Sequence, residues 1–183
     1  GNVVHAVLEE FVKTYGKKVL FDLQKFLEKL NANPKVKKAG LVFRLPTEEE
    51  WEHACRAGST GDYCKLADGT EITKGTLGTV AWYDDNSNDE THPVGQKKPN
   101  AWGLYDMHGN VWEWCNDKFG PYPYGEITDP VGVKDSRDGY VRRGGSWCWG
   151  AHGCTSSYRQ HGFGLDVVND CGFRLVYAEE PCD

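Results

Sequence analysis

Seven cysteines, at 55, 64, 115, 148, 154, 171 and 182, are the first residues able to do chemistry. None forms a CxxC pair, so neither a zinc ribbon nor a thioredoxin-type redox motif is expected. The odd count leaves at least one thiol unpaired within the chain. Cys154 and Cys171 bracket an unusual stretch, and two readings of them stand: a cross-link, or buried free thiols. The six histidines, at 5, 53, 92, 108, 152 and 161, are scattered. No His-x-x-x-His pair offers the ligand set of an iron-dependent oxygenase. Asp106, Asn110 and Glu113 place side-chain oxygens in a Gly-containing turn, a combination that suits calcium. The reading that the residues alone favour over calcium is that these side chains cap backbone groups in a tight turn.

Around these groups lies a frame with an odd middle. Arg143-Gly144-Gly145-Ser146-Trp147 sets a close-approach glycine pair beside a large anchor. Gly172-Phe173-Arg174-Leu175-Val176 alternates as a half-buried strand does. Between them, Cys148 to Asp170 shows neither helical nor strand period and contains no Lys and no Glu. It is rich in glycine and small polar residues and carries Trp149, Tyr158 and Phe163. Aromatic area with adaptable Gly/Ser spacers is the composition of a recognition surface. An ordinary surface loop is the alternative.

The elements that must position this stretch are partly legible. Residues 3–15 fit an amphipathic helix with Val4, Val7, Leu8, Phe11 and Tyr15 on one face, and residues 20–30 repeat the pattern. Asn31 to Pro34 breaks it, and Lys35 to Lys38 reads as a solvated basic patch. Leu41-Val42-Phe43 reads as a short strand. Thr47 with Glu50 three residues on is a capping box, and Glu48, Glu49 and Glu50 complement the helix dipole. That helix turns Trp51, Ala54 and Cys55 inward and ends at Gly58. Trp112 and Trp114 alternate around Glu113, which predicts a strand with both indoles on one side.

The bulk properties set limits. A length of 183 residues predicts one domain spanning 1–183. The net charge of −6, with no basic stripe, argues against nucleic acid as a partner. No apolar stretch approaches a membrane span, so no membrane insertion is expected. The cysteine content points to an exported or cell-surface protein rather than a cytoplasmic one.

The motifs Phe43-Arg44-Leu45-Pro46-Thr47-Glu48, Gly103-Leu104-Tyr105-Asp106-Met107, Gly109-Asn110-Val111-Trp112-Glu113-Trp114, Arg143-Gly144-Gly145-Ser146-Trp147 and Gly172-Phe173-Arg174, in that order, resemble the formylglycine-generating-enzyme family. The resemblance covers 43–176 and is weak over the helical residues 1–42. It implies an α+β, C-type-lectin-like fold: loop-rich, with small twisted antiparallel sheets and two or three helices. The family begins with a strand before its first helix, and no such strand is legible here. The resemblance also implies a structural calcium site built from Asp106, the carbonyls of Gly109 and Val111, and Glu113.

Formylglycine generators hold copper with thiols three and eight residues after the Ser of Gly-Gly-Ser. Here the eighth position is Cys154, but the third is Trp149, and Cys148 falls one residue early. On a strand that slip turns the side chain to the other face. The family's Cys after Gly-Phe-Arg is also missing, because Leu175 follows. No enzyme activity and no catalytic cofactor are therefore expected, with a copper oxidase or related iron-dependent oxygenase as the alternative.

A second branch, the variable proteins of diversity-generating retroelements, is similar to Arg143–Trp147, Cys154–Ser157, Arg159 and Cys171–Val176. It implies a variable region over 143–176 that binds a protein or cell-surface ligand. Its adenine-rewritten codons can yield Cys148, Gly150, His152, Gly153, Tyr158, His161, Phe163, Leu165, Asp166, Val167, Asn169 and Asp170. Trp149 and Gln160 depart from the usual asparagine codon but belong to the same candidate face. Trp149, Tyr158 and Phe163 are its expected anchors.

Overall fold

The computed structural model describes residues 2–4, 23–122, 139–162 and 169–179. Nine short strands and three α-helices are found among them. The strands are β1 (Asn2–Val4), β2 (Leu41–Arg44), β3 (Ala81–Trp82), β4 (His108–Gly109), β5 (Trp112–Lys118), β6 (Tyr140–Arg143), β7 (Gln160–Gly162), β8 (Cys171–Phe173) and β9 (Leu175–Glu179). The helices are α1 (Leu23–Ala32), α2 (Pro34–Lys38) and α3 (Glu48–Arg56). Two 3-10 turns, Lys74–Thr79 and Ala151–Cys154, complete the set.

Three small sheets organise these pieces. The first runs β1-β9-β2 and is antiparallel throughout. The second is the parallel pair β3-β4. The third runs β7-β6-β5-β8, with β8 parallel to β5 and the other pairs antiparallel. The sheets are therefore mixed, not antiparallel alone. Gly172 to Val176, expected as one strand, is two. The chain leaves the third sheet after Phe173 and enters the first at Leu175, with Arg174 at the corner.

The N-terminal expectations need correction. Asn2–Val4 is a strand, paired with Leu175–Tyr177, where a helix from residue 3 was expected. It is the leading strand that the sequence did not reveal. The rest of that expected helix, from residue 5, lies outside the described residues. Lys35 to Lys38 is a solvated basic patch as expected, its lysines exposed on α2. Asn33 caps it by accepting from the Lys35 backbone N–H, and Pro34 occupies the first turn.

Helix α3 begins as its capping box requires. Thr47 accepts from the Glu50 N–H, and the Glu50 carboxylate accepts from the Thr47 N–H. Its end is left-handed at Ala57 (φ 47°), followed by Gly58 (φ 84°). Trp51, Ala54 and Cys55 pack inward against Met107, Cys115 and Val141. A second cluster, with Leu77 and Val80 at its heart, takes in Ala151 and Cys154 from the unusual stretch. A third joins Leu23, Leu45, Trp114 and Leu175.

On β5 both indoles are buried, and the Arg142 guanidinium lies 5.8 Å from the Trp112 ring and 5.5 Å from the Trp114 ring. One cation touching both places the indoles on one side. Glu113 projects to the other side, where Trp51 and Arg174 meet it.

Candidate functional site

The stretch after Ser146 folds back over the buried Trp112. Trp149 stands edge-on to Trp112, with ring centroids 5.2 Å apart, and Tyr158 lies 6.0 Å from the same indole. Trp149 and Tyr158 are 6.1 Å apart, and His152 sits edge-on to Tyr158 at 5.8 Å. Trp149 and Tyr158 are half-buried and His152 is exposed, so one cluster is anchored below and open above. Aromatic groups arranged in this way give contact area at low entropic cost.

The frame beneath is ionic. Arg159 clamps Glu48, with Nε to Oε1 at 2.5 Å and Nη2 to Oε2 at 2.7 Å. Arg143, fully buried, donates to Glu52 and to the Tyr158 carbonyl, the latter at 2.6 Å. Both arginines thus fix the main chain around Tyr158 to helix α3 and leave its ring uncommitted. Sequence reasoning named Arg143 and Arg159 as frame residues. It missed that their partners are Glu48, which looked like a dipole-complementing acid, and Glu52.

The other expected face residues are not equivalent. Cys148 and Asn169 are exposed, and Gly150, Gln160, His161 and Asp170 are half-buried. Gly153 is buried, and a Cβ there would come within 2.9 Å of the Trp149 ring. It supports the cluster from below and offers no surface. Gln160 and His161 belong to β7, so this part of the stretch is strand and not irregular loop. His161 packs against Phe119 at 4.7 Å, away from the Tyr158 group. Asp170 touches Cys148 and Ser146 at 3.9 and 3.5 Å. Phe163, Leu165, Asp166 and Val167 lie outside the described residues.

The thiols of the described cysteines are free. Cys154 and Cys171 are not cross-linked, nor are Cys55, Cys64, Cys115 or Cys148. Of the two readings of Cys154 and Cys171, the free-thiol one holds. Cys154 is packed under Gly145, whose Cβ would fall 2.5 Å from its sulfur. Burial pushes this thiol up to about 12. Cys148 instead faces solvent beside the Ser146 hydroxyl at 3.4 Å. The family position for a second thiol is filled by Trp149, which is committed to the aromatic cluster. A two-thiolate copper site does not fit these residues.

Of the proposed calcium ligands, Glu113 is already engaged by protein donors. Both Glu113 oxygens are taken, Oε1 by Arg174 Nη2 at 2.6 Å and Oε2 by Arg174 Nε and by Trp51 Nε1, the last at 2.6 Å. Asp106 accepts from the Gly95 N–H at 2.8 Å. Gly109 is pressed so closely on the Trp82 carbonyl that a Cβ would sit 2.1 Å from its oxygen. Val111 is half-buried beside Gly172. Asn110, the third candidate oxygen of the residue-based reading, caps backbone: it accepts from the His92 N–H and donates to the His92 carbonyl. The melting temperature is therefore expected to stay within about 1 °C when a calcium chelator is added to the purified protein. A drop of several degrees would show that bound ion contributes to stability.

Among the described residues, no group of three or more His, Cys, Asp or Glu is placed to hold a metal ion. None of the described helices is long and apolar enough to cross a membrane.

The order of sheets, the Arg174 corner and the Gly-Gly-Ser turn agree with one family. Its domain, described as the sulfatase-modifying factor enzyme 1-like domain, matches residues 7–179. The chain belongs to that family. A formylglycine-generating enzyme of Streptomyces coelicolor is 38% identical over 126 residues, 63% of this chain and 38% of that protein. Treponema denticola variable protein 1 superposes with a TM-score of 0.67 and 40% identity over 75% of this chain and 48% of its own. PvdO from Pseudomonas aeruginosa superposes at 0.69, with 30% identity over 86% of this chain and 59% of its own. These likenesses show the C-type-lectin-like fold of the formylglycine-generating type. The chain spans well under two thirds of the relatives it matches.

The comparisons also correct the expectation that no enzyme is involved. Relatives between 33% and 42% identical carry the name formylglycine-generating enzyme. The sulfatase-modifying factor enzyme 1-like family is thus an enzymatic one, and the mismatch at Trp149 does not take this chain out of it.

Proposed function

We propose that this domain presents a ligand-binding face, built by residues 143–176 on a C-type-lectin-like scaffold and diversified by a retroelement. The observation that carries the reading is the aromatic cluster of Trp149, Tyr158 and His152, open above and seated on the buried Trp112. Its supports are fixed by main-chain contacts, so ring identity at position 158 is free to change while the frame stays. The likeness to a protein named a variable protein supports the same reading. The ligand is a protein or a cell-surface molecule, contacted by apolar rings in the middle and polar groups such as Asn169 at the edge.

The locus tests the diversification. A nearby repeat matching codons 148–170, differing from them chiefly at template adenines and accompanied by a reverse transcriptase gene, is expected. Absence of both would overturn it. The surface role has its own check. Tyr158→Ser is expected to lower stability by no more than about 1–2 kcal/mol, because the Arg143 bond to its carbonyl is retained. A loss of more than about 4 kcal/mol would make the ring core and not face.

A second reading is favoured by the relatives' names: an activity of the formylglycine-generating type. Conversion of a cysteine-containing peptide to the aldehyde by the purified protein under oxygen would establish it. The binding face and such an activity are compatible on one scaffold.

A further inference from the structure

A groove opens beside the aromatic cluster. Its walls come from residues 60–63, 71–74 and 84–85, and residues 150–155 close the remaining side. Four carboxylates line it, Asp62, Glu71, Asp84 and Asp85, against one ammonium, Lys74. The ion pairs among the described residues involve none of the four acids. Two bonds tie this groove to the face. The Asp84 N–H donates to the Trp149 carbonyl at 3.2 Å, and the Tyr63 hydroxyl donates to the Ala151 carbonyl at 2.9 Å.

Gly150 stands at the groove mouth. Its backbone is ordinary extended chain (φ −66°, ψ 162°), a conformation any residue adopts, so the fold does not demand glycine here. A Cβ at this position would meet the His152 ring nitrogen at 3.2 Å and the Asp84 carboxylate at 3.5 Å. A longer side chain would therefore enter the groove and cover Asp84. What the glycine achieves is an open carboxylate next to an aromatic rim.

We propose that this groove receives a cationic side chain, lysine or arginine, of the bound partner, and that position 150 sets whether it is admitted. The inference rests on the binding-face reading above. An exposed carboxylate attracts an ammonium weakly on its own. Four carboxylates in a concave wall, against the single Lys74 ammonium, focus the field on one entering group. The adjoining Tyr158 and His152 rings add a surface for its methylene stem.

The test uses the whole protein and small probes. Amide resonances are followed during titration with N-acetyl-lysine amide and N-acetyl-arginine amide, with N-acetyl-glutamine amide as the neutral control. The cationic probes are expected to shift residues 62, 84–85 and 150–152, and to do so less as salt is raised. Asp84→Asn combined with Asp85→Asn should weaken binding by about tenfold, and Gly150→Leu should abolish it without changing the fold. No shift at the groove, an equal response to the neutral probe, or unchanged binding by Gly150→Leu would each overturn the proposal. A template repeat found at the locus while the cationic probes fail would overturn the groove alone and leave the binding face standing.

Discussion

Arg174→Met is expected to destabilise the protein by about 3–5 kcal/mol. Arg174 is buried at the corner between two sheets and supplies two hydrogen bonds to Glu113, which is itself only 6% exposed. Methionine matches the stem of arginine but strips the carboxylate of its charge partner and leaves it the Trp51 indole N–H. The dominant cost is the unpaired buried charge, not lost packing. Total stabilities of about 5–15 kcal/mol make this a large fraction. Adding Glu113→Gln to the methionine variant should recover most of the loss, because a neutral amide tolerates the site. Urea unfolding of both single variants and the double variant gives the coupling energy. A cost below about 1 kcal/mol for Arg174→Met would show that the pair does not hold the corner.

The second large effect is alkaline. Burial pushes Cys55, Cys154 and Cys171 up to about 12, and burial likewise holds Cys115 well above an ordinary thiol. In the unfolded chain these thiols ionise near pH 9. Above that pH the unfolded state holds fewer protons than the folded one, so stability falls as pH rises. Below it the stabilisation is fully present. At pH 10 Cys55, Cys154 and Cys171 account for about 1.4 kcal/mol each, about 4 kcal/mol together, and Cys115 acts in the same direction. Between pH 8 and 10, under reductant, the melting temperature should drop by roughly 10 °C. A flat profile would mean that the thiols ionise in place.

The sequence was legible where the determining contact is local. The Thr47–Glu50 capping box spans four residues, and both halves of it formed as read. Trp112 and Trp114 could be placed on one side of a strand from their spacing alone. Where partners are distant, the pattern had no access to them. Asn2-Val3-Val4 is too short to carry a period, and it becomes a strand because β9 offers an edge. Glu113 looked like a metal ligand because its charge partner, Arg174, lies 61 residues away. Cys154 and Cys171 flank a segment in sequence, but they belong to different clusters, one beneath Gly145 and one beside Phe173. The face itself was visible as odd composition. Its division into support (Gly153, Ala151) and surface (Tyr158, His152) was not, since neighbours across the fold decide it.

The placement of β9 between β1 and β2 bears on how the chain comes to be folded. Both outer strands are made well before their common partner, which emerges some 130 to 170 residues later. Until Leu175 is made, the two carry hydrogen-bonding edges with nothing between them, an invitation to pair with another chain. The first sheet therefore closes late, once Arg174 has reached its corner and the strand that follows has joined, and its exposed edges are a hazard during folding until then.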